Sequence, residues 1–231
     1  ALRLMEKQLH RSELQDPRLR YRVIAAENFS GDIVAASRSP DGRFYALLAD
    51  ATGHGLTAAI SVLPVLALFY RMTTRSRSIR DIVLELNQQL KQSMPIGRFV
   101  AITLLSLDET TRKGDIWVGG TPEAFLFDRW GRVAQRFPSD NLPLGIVNNN
   151  ELGGDPHHFS WEAESQLVLC SDGLLEATNP DNIQFGAEGL IAAAANTSPS
   201  SRFEKIETAL IRHQSTCPAS DDISLMLIDC P

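Results

Sequence analysis

Cysteine is scarce in this sequence, and the three that occur, Cys170, Cys217 and Cys230, form no paired pattern. An odd number of cysteines without Cys-x-x-Cys spacing indicates neither a disulfide framework nor a zinc knuckle. Cys170 lies in the apolar run 167–170 and is predicted to be a small buried hydrophobic residue. We expect a protein of the reducing cytoplasm, where structural disulfides are rare.

Positive charge and long apolar runs are also lacking. The formal net charge is −6, whereas proteins that bind DNA or RNA cluster Lys and Arg, so no nucleic-acid partner is expected. The longest apolar stretch, 56–70, is interrupted by Thr57, Ser61 and Pro64, so no membrane span is predicted. The chain begins at Ala1 without a signal-peptide layout, and we interpret it as part of a longer protein.

The motifs of three other classes of phosphate chemistry are absent. Neither a GxxxxGK[ST] phosphate-binding loop nor a protein-kinase catalytic loop occurs. A cysteine nucleophile followed six residues later by arginine is missing too, because Glu176 follows Cys170 and Ile223 follows Cys217 at that spacing. A phosphate-handling role for this chain would therefore need another kind of site.

Apolar periodicity separates a short N-terminal segment from one large domain. The apolar residues at helical spacing in the first fifteen positions are Leu2, Met5 and Leu9. Pro17 ends this predicted helix. Two interpretations stand: the helix packs on its own domain, or it ends a linker or dimer-forming coiled coil from an upstream domain. We assign 1–17 to this helix or linker and 18–231 to the domain, with a homodimer as one expectation.

The rest of the pattern predicts an α+β fold with mainly antiparallel sheets. The predicted strands are 21–29, 32–39, 43–50, 99–107, 115–119, 124–128, 133–137, 157–161, 166–171 and 223–229. The predicted helices are 55–72, 79–92, 186–195 and 202–213. The four strands between 99 and 137 are separated by short glycine-containing turns, which predicts a β-meander.

Aspartates stand at the ends of the most apolar predicted strands, beside glycine or another small residue. They are Asp32, Asp50, Asp172, Asp221 and Asp222. One such aspartate is typical of a turn or a helix cap. Several of them at the ends of core strands predict a converging acidic site, where adjacent glycine lets a ligand approach the backbone closely.

Converging carboxylates repel one another, and this repulsion predicts the cofactor. At about 4 Å each pair costs roughly 4 kcal/mol at an effective dielectric near 20, so a fold keeps such a cluster only if cations neutralise it. All-oxygen ligands favour Mg²⁺ or Mn²⁺ over zinc. Two such ions would bind the attacking and leaving oxygens of a phosphoryl group and activate a water. These residues therefore predict a two-metal phosphate-ester hydrolase.

Five short motifs within residues 30–224 resemble the type 2C metal-dependent protein phosphatases. In chain order they are Ser30-Gly31-Asp32, the run 48–55 (LADATGHG) with Ala58-Ala59, Leu142-Pro143-Leu144-Gly145, Ser171-Asp172-Gly173-Leu174 with Glu176-Ala177 and Asn179, and Asp221-Asp222-Ile223-Ser224. The resemblance is narrower to the bacterial branch typified by the sporulation phosphatase SpoIIE and by phosphatases that control alternative sigma factors. Each motif alone is weakly specific, whereas five in family order are strongly so.

The resemblance implies an αββα sandwich, two mainly antiparallel sheets flanked by helix pairs, with two divalent ions, Mn²⁺ or Mg²⁺, at one edge. The implied metal ligands are Asp32, Asp50, the carbonyl of Ala51, Asp172, Asp221 and Asp222. Asp50 would bridge both ions, and Asp172 and Asp221 would hold the second as further catalytic carboxylates. Which of Asp221 and Asp222 binds metal stays open.

The turn after Asp50 adds implied accessory residues, Gly53, His54 and Gly55. Two interpretations of His54 stand: a general acid, or a capping and packing residue at the start of the helix. The stretch 118–122 replaces the Asn-Ala-Gly-His of bacterial relatives, so that histidine is absent. The phosphate-binding arginine of eukaryotic members has no clear counterpart.

Other residue groups are less informative. His157 and His158 are adjacent on a predicted strand and point to opposite faces, which disfavours a shared metal. A run of arginines in an acidic chain indicates a solvated helix end or a contact for an acidic partner. These arginines are Arg71, Arg75, Arg77 and Arg80. The tryptophans predicted to be packing residues are Trp117, Trp130 and Trp161.

The predicted function is hydrolysis of phosphoserine or phosphothreonine on a partner protein by a metal-bound hydroxide, without a covalent enzyme intermediate. By the resemblance, the substrate is a phosphorylated anti-sigma-factor antagonist in a bacterial signalling pathway. An upstream regulatory domain, for example a response-regulator receiver, would gate the activity. The alternative is a degenerate phosphatase fold that recruits a regulator as an adaptor, but the retained aspartates favour the enzyme.

Overall fold

A computed structural model of the chain describes residues 12–27, 29–53, 55–95, 97–153 and 155–231. The predicted N-terminal helix falls mostly on residues 1–11, which lie outside the described residues. Ser12–Gln15 form a short 3-10 helix. Leu14 in this turn is buried and joins the core of the domain, and the carboxylate of Asp16 forms an ion pair with Arg38.

Ten strands and five α-helices are formed within the described residues. In chain order the strands are β1 (Leu19–Ile24), β2 (Asp32–Arg38), β3 (Phe44–Ala51), β4 (Val100–Asp108), β5 (Lys113–Gly119), β6 (Ala124–Phe127), β7 (Val133–Phe137), β8 (His157–Ser160), β9 (Ser165–Cys170) and β10 (Ile223–Cys230). The helices are α1 (Gly55–Thr73), α2 (Ile79–Ser93), α3 (Asp172–Glu176), α4 (Gly186–Ala194) and α5 (Pro199–Gln214).

The strands form two five-stranded sheets in which every pair of neighbours is antiparallel. The first sheet has the order β1-β10-β9-β6-β7, and the second has the order β2-β3-β4-β5-β8. The predicted meander over 99–137 is wrong, because the chain leaves the second sheet after β5 and enters the first sheet as β6. Alternating apolar residues identify a strand, but they do not identify the neighbour with which it pairs.

Three apolar layers confirm the αββα sandwich. Residues on alternate sides of each strand face opposite layers. On β2, Ile33 and Ala35 pack with α1 and α2, whereas Val34 and Ala36 pack between the sheets. A third layer lies between the first sheet and the helices α3, α4 and α5. Asp32 and Asp50 lie at the edge of the inter-sheet layer.

Helix α1 is an apolar helix with one face in the core. By length and composition it is the one helix of the described residues that could cross a membrane, with a mean hydropathy of 1.6. Core helices of soluble proteins can have the same length and apolar composition. Ala58, Val62 and Val65 of α1 are buried and belong to the layer against the second sheet, as expected of a core helix.

Candidate functional site

The β2–β3 hairpin places Asp32 directly opposite Asp50. The two residues are partners in the antiparallel register, so their side chains emerge on the same face of the sheet. Two residues further along each strand, Val34 and Leu48 pack between the sheets. Because side chains alternate along a strand, the two carboxyl groups lie on this inter-sheet face, where the apolar layer ends.

The first sheet brings its carboxylates to the same edge through a close backbone approach. The amide of Ser171, just after β9, donates to the carbonyl of Ser224 on β10 at 3.1 Å. A β-carbon on Gly173 would overlap the carbonyl oxygen of Asp222, and it would come within 3.3 Å of the Asp221 β-carbon. Glycine at 173 therefore lets Asp172, the first residue of α3, lie beside Asp221.

Asp222 connects the two sheets. Its carboxylate accepts hydrogen bonds from the backbone amides of Ala26, at 2.8 Å, and Gly31, at 2.6 Å. Asp222 is only 3% exposed. Both carboxylate oxygens are thus already used to hold the segment before Asp32. Asp221 is exposed, and one of its oxygens accepts the amide of Asp222 at 2.8 Å. This geometry favours Asp221 over Asp222 as a metal ligand.

Burial and mutual repulsion perturb the two carboxyl groups of the second sheet. Burial raises the pKa of Asp50 from the ordinary 3.8 to about 8, and the charges of Asp32, Asp172, Asp221 and Asp222 add to this rise. Without cations, the site therefore holds protons near neutral pH.

The pKa of Asp32 is also raised, to about 7, with burial again the largest cause. The hydroxyls of Ser224 and Ser171 oppose this shift, and the charges of Asp222 and Asp172 support it. Ser224 Oγ makes no well-directed hydrogen bond within the described residues, so its hydroxyl acts as a nearby dipole.

The oxygen atoms at this edge fit a hard cation in their chemistry. Oδ2 of Asp32 is buried and has no hydrogen-bond partner among the described residues. Such an orphaned carboxylate oxygen is costly unless a proton or a cation satisfies it. No three His, Cys, Asp or Glu side chains in the described part of the chain are already arranged around a single metal position. The two-ion centre therefore stays a prediction, with Asp32, Asp50, Asp172 and Asp221 as the carboxylates that could hold it.

The turn after Asp50 is held by backbone contacts on both sides. The Ala51 amide donates to the carbonyl of Gly31 at 3.3 Å, and the Thr52 amide donates to the carbonyl of Phe99 at 3.1 Å. Gly53 and Gly55 have φ of +87° and +75°, the left-handed region that glycine adopts without strain. His54, between them, lies outside the described residues, so both interpretations of it stay predictions.

Sequence reasoning missed one charged residue at this turn. Nη1 of Arg98 donates to the carbonyl of Thr52 at 2.5 Å. A β-carbon on Gly53 would lie 2.7 Å from the same nitrogen. No motif pointed to Arg98, because 46 residues separate it from Thr52 and only the pairing of β3 with β4 brings them together.

The remaining predicted residues lie in other surroundings. A ring nitrogen of His157 lies 3.3 Å from the Asp140 carboxylate and one of His158 lies 2.6 Å from that of Asp115, so the two histidines contact different carboxylates. In the basic run, Arg71 pairs with Glu85 and Arg80 pairs with Asp155. The residues confirmed as buried are Trp117, Trp161 and Cys170. The packing prediction for Trp130 is wrong: this residue is 57% exposed on the β6–β7 turn, between Arg129 and Arg132.

Two solved structures share this fold. The SiaA-PP2C domain of Pseudomonas aeruginosa superposes with a TM-score of 0.85 at 16% identity, covering 98% of this chain and 92% of that domain. RsbX, in a crystal structure in complex with magnesium, gives a TM-score of 0.63 at 18% identity, covering 93% of this chain and 96% of RsbX. These likenesses confirm the predicted type 2C phosphatase fold.

A curated relative and a family model extend the comparison to sequence. Phosphoserine phosphatase RsbP of Bacillus subtilis (strain 168) is 22% identical over 213 residues, which are 89% of this chain. The chain spans about half the length of RsbP, since the match covers 50% of it. The model of Stage II sporulation protein E (SpoIIE) matches residues 40–231, which include four of the five motifs. The resemblance is thereby confirmed: this chain belongs to the SpoIIE family.

Proposed function

We propose that this domain is a metal-dependent phosphatase that hydrolyses phosphoserine or phosphothreonine on a partner protein. One observation carries the proposal: Asp32 and Asp50 face each other across a single ladder pair, with Asp172 and Asp221 brought to the same edge by the other sheet. Four carboxylates at one site, two of them with a raised pKa, are typical of a site that binds cations.

The chain's own residues would prepare the site for two divalent ions, Mn²⁺ or Mg²⁺. When bound, the ions would supply an activated water and stabilise the charge of the phosphoryl group. Asp50 and Asp32 would lose the protons that their raised pKa retains near neutral pH, so ion binding would release protons. Asp172 and Asp221 are exposed and would complete the ligand set, together with the Ala51 carbonyl.

The partner and the regulation are proposed from the relatives. RsbP is a phosphoserine phosphatase, and the match covers half of it, which leaves room in that protein for further segments. We propose a phosphorylated anti-sigma-factor antagonist as substrate, in the cytoplasm, and a regulatory domain upstream of residue 18. A homodimer formed through the N-terminal segment is part of this proposal.

Hydrolysis of p-nitrophenyl phosphate with Mn²⁺, Mg²⁺ or chelator tests the chemistry. We expect Mn²⁺-dependent turnover that falls about 10³-fold in Asp50→Asn, since loss of a carboxylate that would hold the ions would remove several kcal/mol of transition-state stabilisation. Asp115→Asn is the matched control, because Asp115 is also a half-buried strand aspartate but pairs with His158 elsewhere. Equal activity in wild type and Asp50→Asn would contradict the site assignment.

The substrate class needs a separate measurement. Release of phosphate from a phosphoserine-containing anti-sigma-factor antagonist, followed by intact-protein mass spectrometry, should exceed release from an unrelated phosphoprotein at equal concentration. If p-nitrophenyl phosphate is hydrolysed but neither phosphoprotein is, the phosphatase proposal holds and the proposed partner is wrong. Binding of the antagonist without metal-dependent turnover of any substrate would favour the adaptor function.

A further inference from the structure

The guanidinium of Arg98 lies over the turn that follows Asp50. It is anchored there by the 2.5 Å hydrogen bond from Nη1 to the Thr52 carbonyl. Gly53 makes room for it, because a β-carbon at this position would lie only 2.7 Å from Nη1. The residue is half-buried, so part of its side chain is exposed to solvent.

Arg98 has no carboxylate partner in the described part of the chain, although the Thr52 carbonyl that it contacts is only two residues after Asp50. Its hydrogen bond to Thr52 uses one of the five N–H groups that a guanidinium carries. By contrast, Arg18, Arg22 and Arg38 all form ion pairs with glutamate or aspartate. An arginine that keeps most of its donors free on the turn after Asp50 is available for an anion that binds at this turn.

The backbone that carries Arg98 is fixed in place from two sides. On one side, the Phe99 amide donates to the Thr52 hydroxyl at 3.1 Å. On the other side, Val100 and Leu144 exchange two backbone hydrogen bonds of 3.0 and 2.8 Å. The start of β4 is thus clamped between the turn after Asp50 and the loop that contains the motif 142–145. A donor on a rigid backbone loses little entropy when it binds a ligand.

The loop 142–149 is itself held by a buried residue of helix α2. The side chain of Asn87 accepts the amide of Gly145 at 2.8 Å and donates to the carbonyl of Val147 at 3.0 Å and to Asn149 Oδ1 at 2.7 Å. The motif 142–145 therefore supports the strand that presents Arg98, and it contributes no charged group to the acidic site.

We propose that Arg98 binds the non-bridging oxygens of the phosphoryl group of the substrate, and of the inorganic phosphate product. This inference rests on the proposed function and adds to it a residue that holds the substrate anion. The planar guanidinium can donate two parallel hydrogen bonds to one phosphoryl group, which lysine cannot do. Its positive charge would also attract the dianion to a site that, without bound cations, is negative.

The test separates anion binding from a purely structural brace. Inorganic phosphate is titrated calorimetrically into protein saturated with Mn²⁺, for wild type, Arg98→Gln and Arg98→Lys. We expect phosphate affinity to fall about 10-fold or more in Arg98→Gln, the value of one charge-assisted hydrogen-bond pair, and to fall less in Arg98→Lys. Mn²⁺ affinity, measured without phosphate, should change less than about twofold, which is well below the tenfold change that 1.4 kcal/mol represents.

Arg71→Gln is the matched control, because it removes the same charge from the end of α1, where Arg71 pairs with Glu85. Its phosphate affinity should equal that of wild type. The proposal is overturned if wild type binds no phosphate, if Arg98→Gln binds it as wild type does, or if Mn²⁺ and phosphate affinities fall together. Phosphate binding does not require turnover, so an inactive wild type that binds phosphate through Arg98 would contradict the proposed function and still show that Arg98 binds the anion.

Discussion

In the second sheet, Asp32 and Asp50 oppose each other on one ladder pair, buried or half-buried, and both have a raised pKa. In the first sheet, the acidic residues of the candidate site stand beyond the ends of the strands, and Asp172 and Asp221 are exposed. Asp222 alone is buried there, and backbone amides occupy both of its oxygens. One sheet thus holds the less exposed carboxylates of the proposed metal site, and the other holds two exposed carboxylates together with Asp222, whose hydrogen bonds fix the segment before Asp32.

The largest effect is expected at Gly173, where the start of α3 packs against the residues that precede β10. Gly173→Ala should lower the free energy of unfolding by about 3 kcal/mol, because the new methyl group would overlap the backbone of Asp222. It should also separate Asp172 from Asp221 and abolish metal-dependent turnover. Chemical denaturation and p-nitrophenyl phosphate hydrolysis measure the two effects. Gly42→Ala is the control: its φ of +88° costs about 1–2 kcal/mol, its surroundings are open, and turnover should survive.

The two adjacent aspartates of the first sheet should respond differently to neutralisation. Asp222→Asn should lower the free energy of unfolding by about 2 kcal/mol. The NH₂ group of the new side chain would face the backbone N–H of Ala26 or of Gly31, which now donates to a carboxylate oxygen, so one hydrogen bond would be lost. Asp221→Asn should leave stability unchanged, because Asp221 is exposed, and weaken Mn²⁺ binding about 10-fold or more, as loss of one charge-assisted ligand implies. Denaturation and calorimetric Mn²⁺ titration of both variants decide the assignment; the reverse pattern would make Asp222 the ligand.

A smaller effect should appear as a pH dependence of the metal-free protein. A raised pKa means that the folded state binds the proton more tightly than the unfolded state does. The stability due to Asp32 and Asp50 is therefore fully present below pH 3.8 and is lost as pH rises through about 7 to 8. At pH 8 with chelator, Asp50→Asn should be more stable than wild type by at least about 1.4 kcal/mol, the value of one pKa unit. Thermal unfolding at pH 5 and pH 8 should show this gain shrinking at pH 5; a variant less stable than wild type at pH 8 would contradict the assigned burial.

The sequence was sufficient to predict the sandwich and the strand ends because apolar alternation and Asp-Gly signals are local. The register that sets Asp32 against Asp50 is also local, since one hairpin joins β2 to β3. The switch of β6 to the other sheet was not predictable, because it depends on pairing with β9, whose residues are distant in sequence. The exposure of Trp130 was missed for a related reason. The local sequence of a turn does not show whether another part of the chain covers it.

Two of the proposed residue roles also depend on long-range contacts. The motif Asp221-Asp222 left two ligands equally plausible, and only the amides of Ala26 and Gly31 distinguish them. Arg98 carried no sequence signal at all, because its significance comes from the turn beside it. Long-range contacts therefore decide which residue does what, even where short motifs identify the family.

The hydrogen bond between the Gly31 amide and the Asp222 carboxylate has a consequence for biosynthesis. These residues are 191 positions apart in the chain. At a translation rate of about 5–20 residues per second, roughly 10–40 s pass between the synthesis of one and the arrival of the other. A ribosome-bound nascent chain can pair β2 with β3 early, but its acidic edge waits for β10. The acidic edge would then be complete only after residue 222 has been synthesised, so a nascent chain that ends before this residue would lack the assembled site.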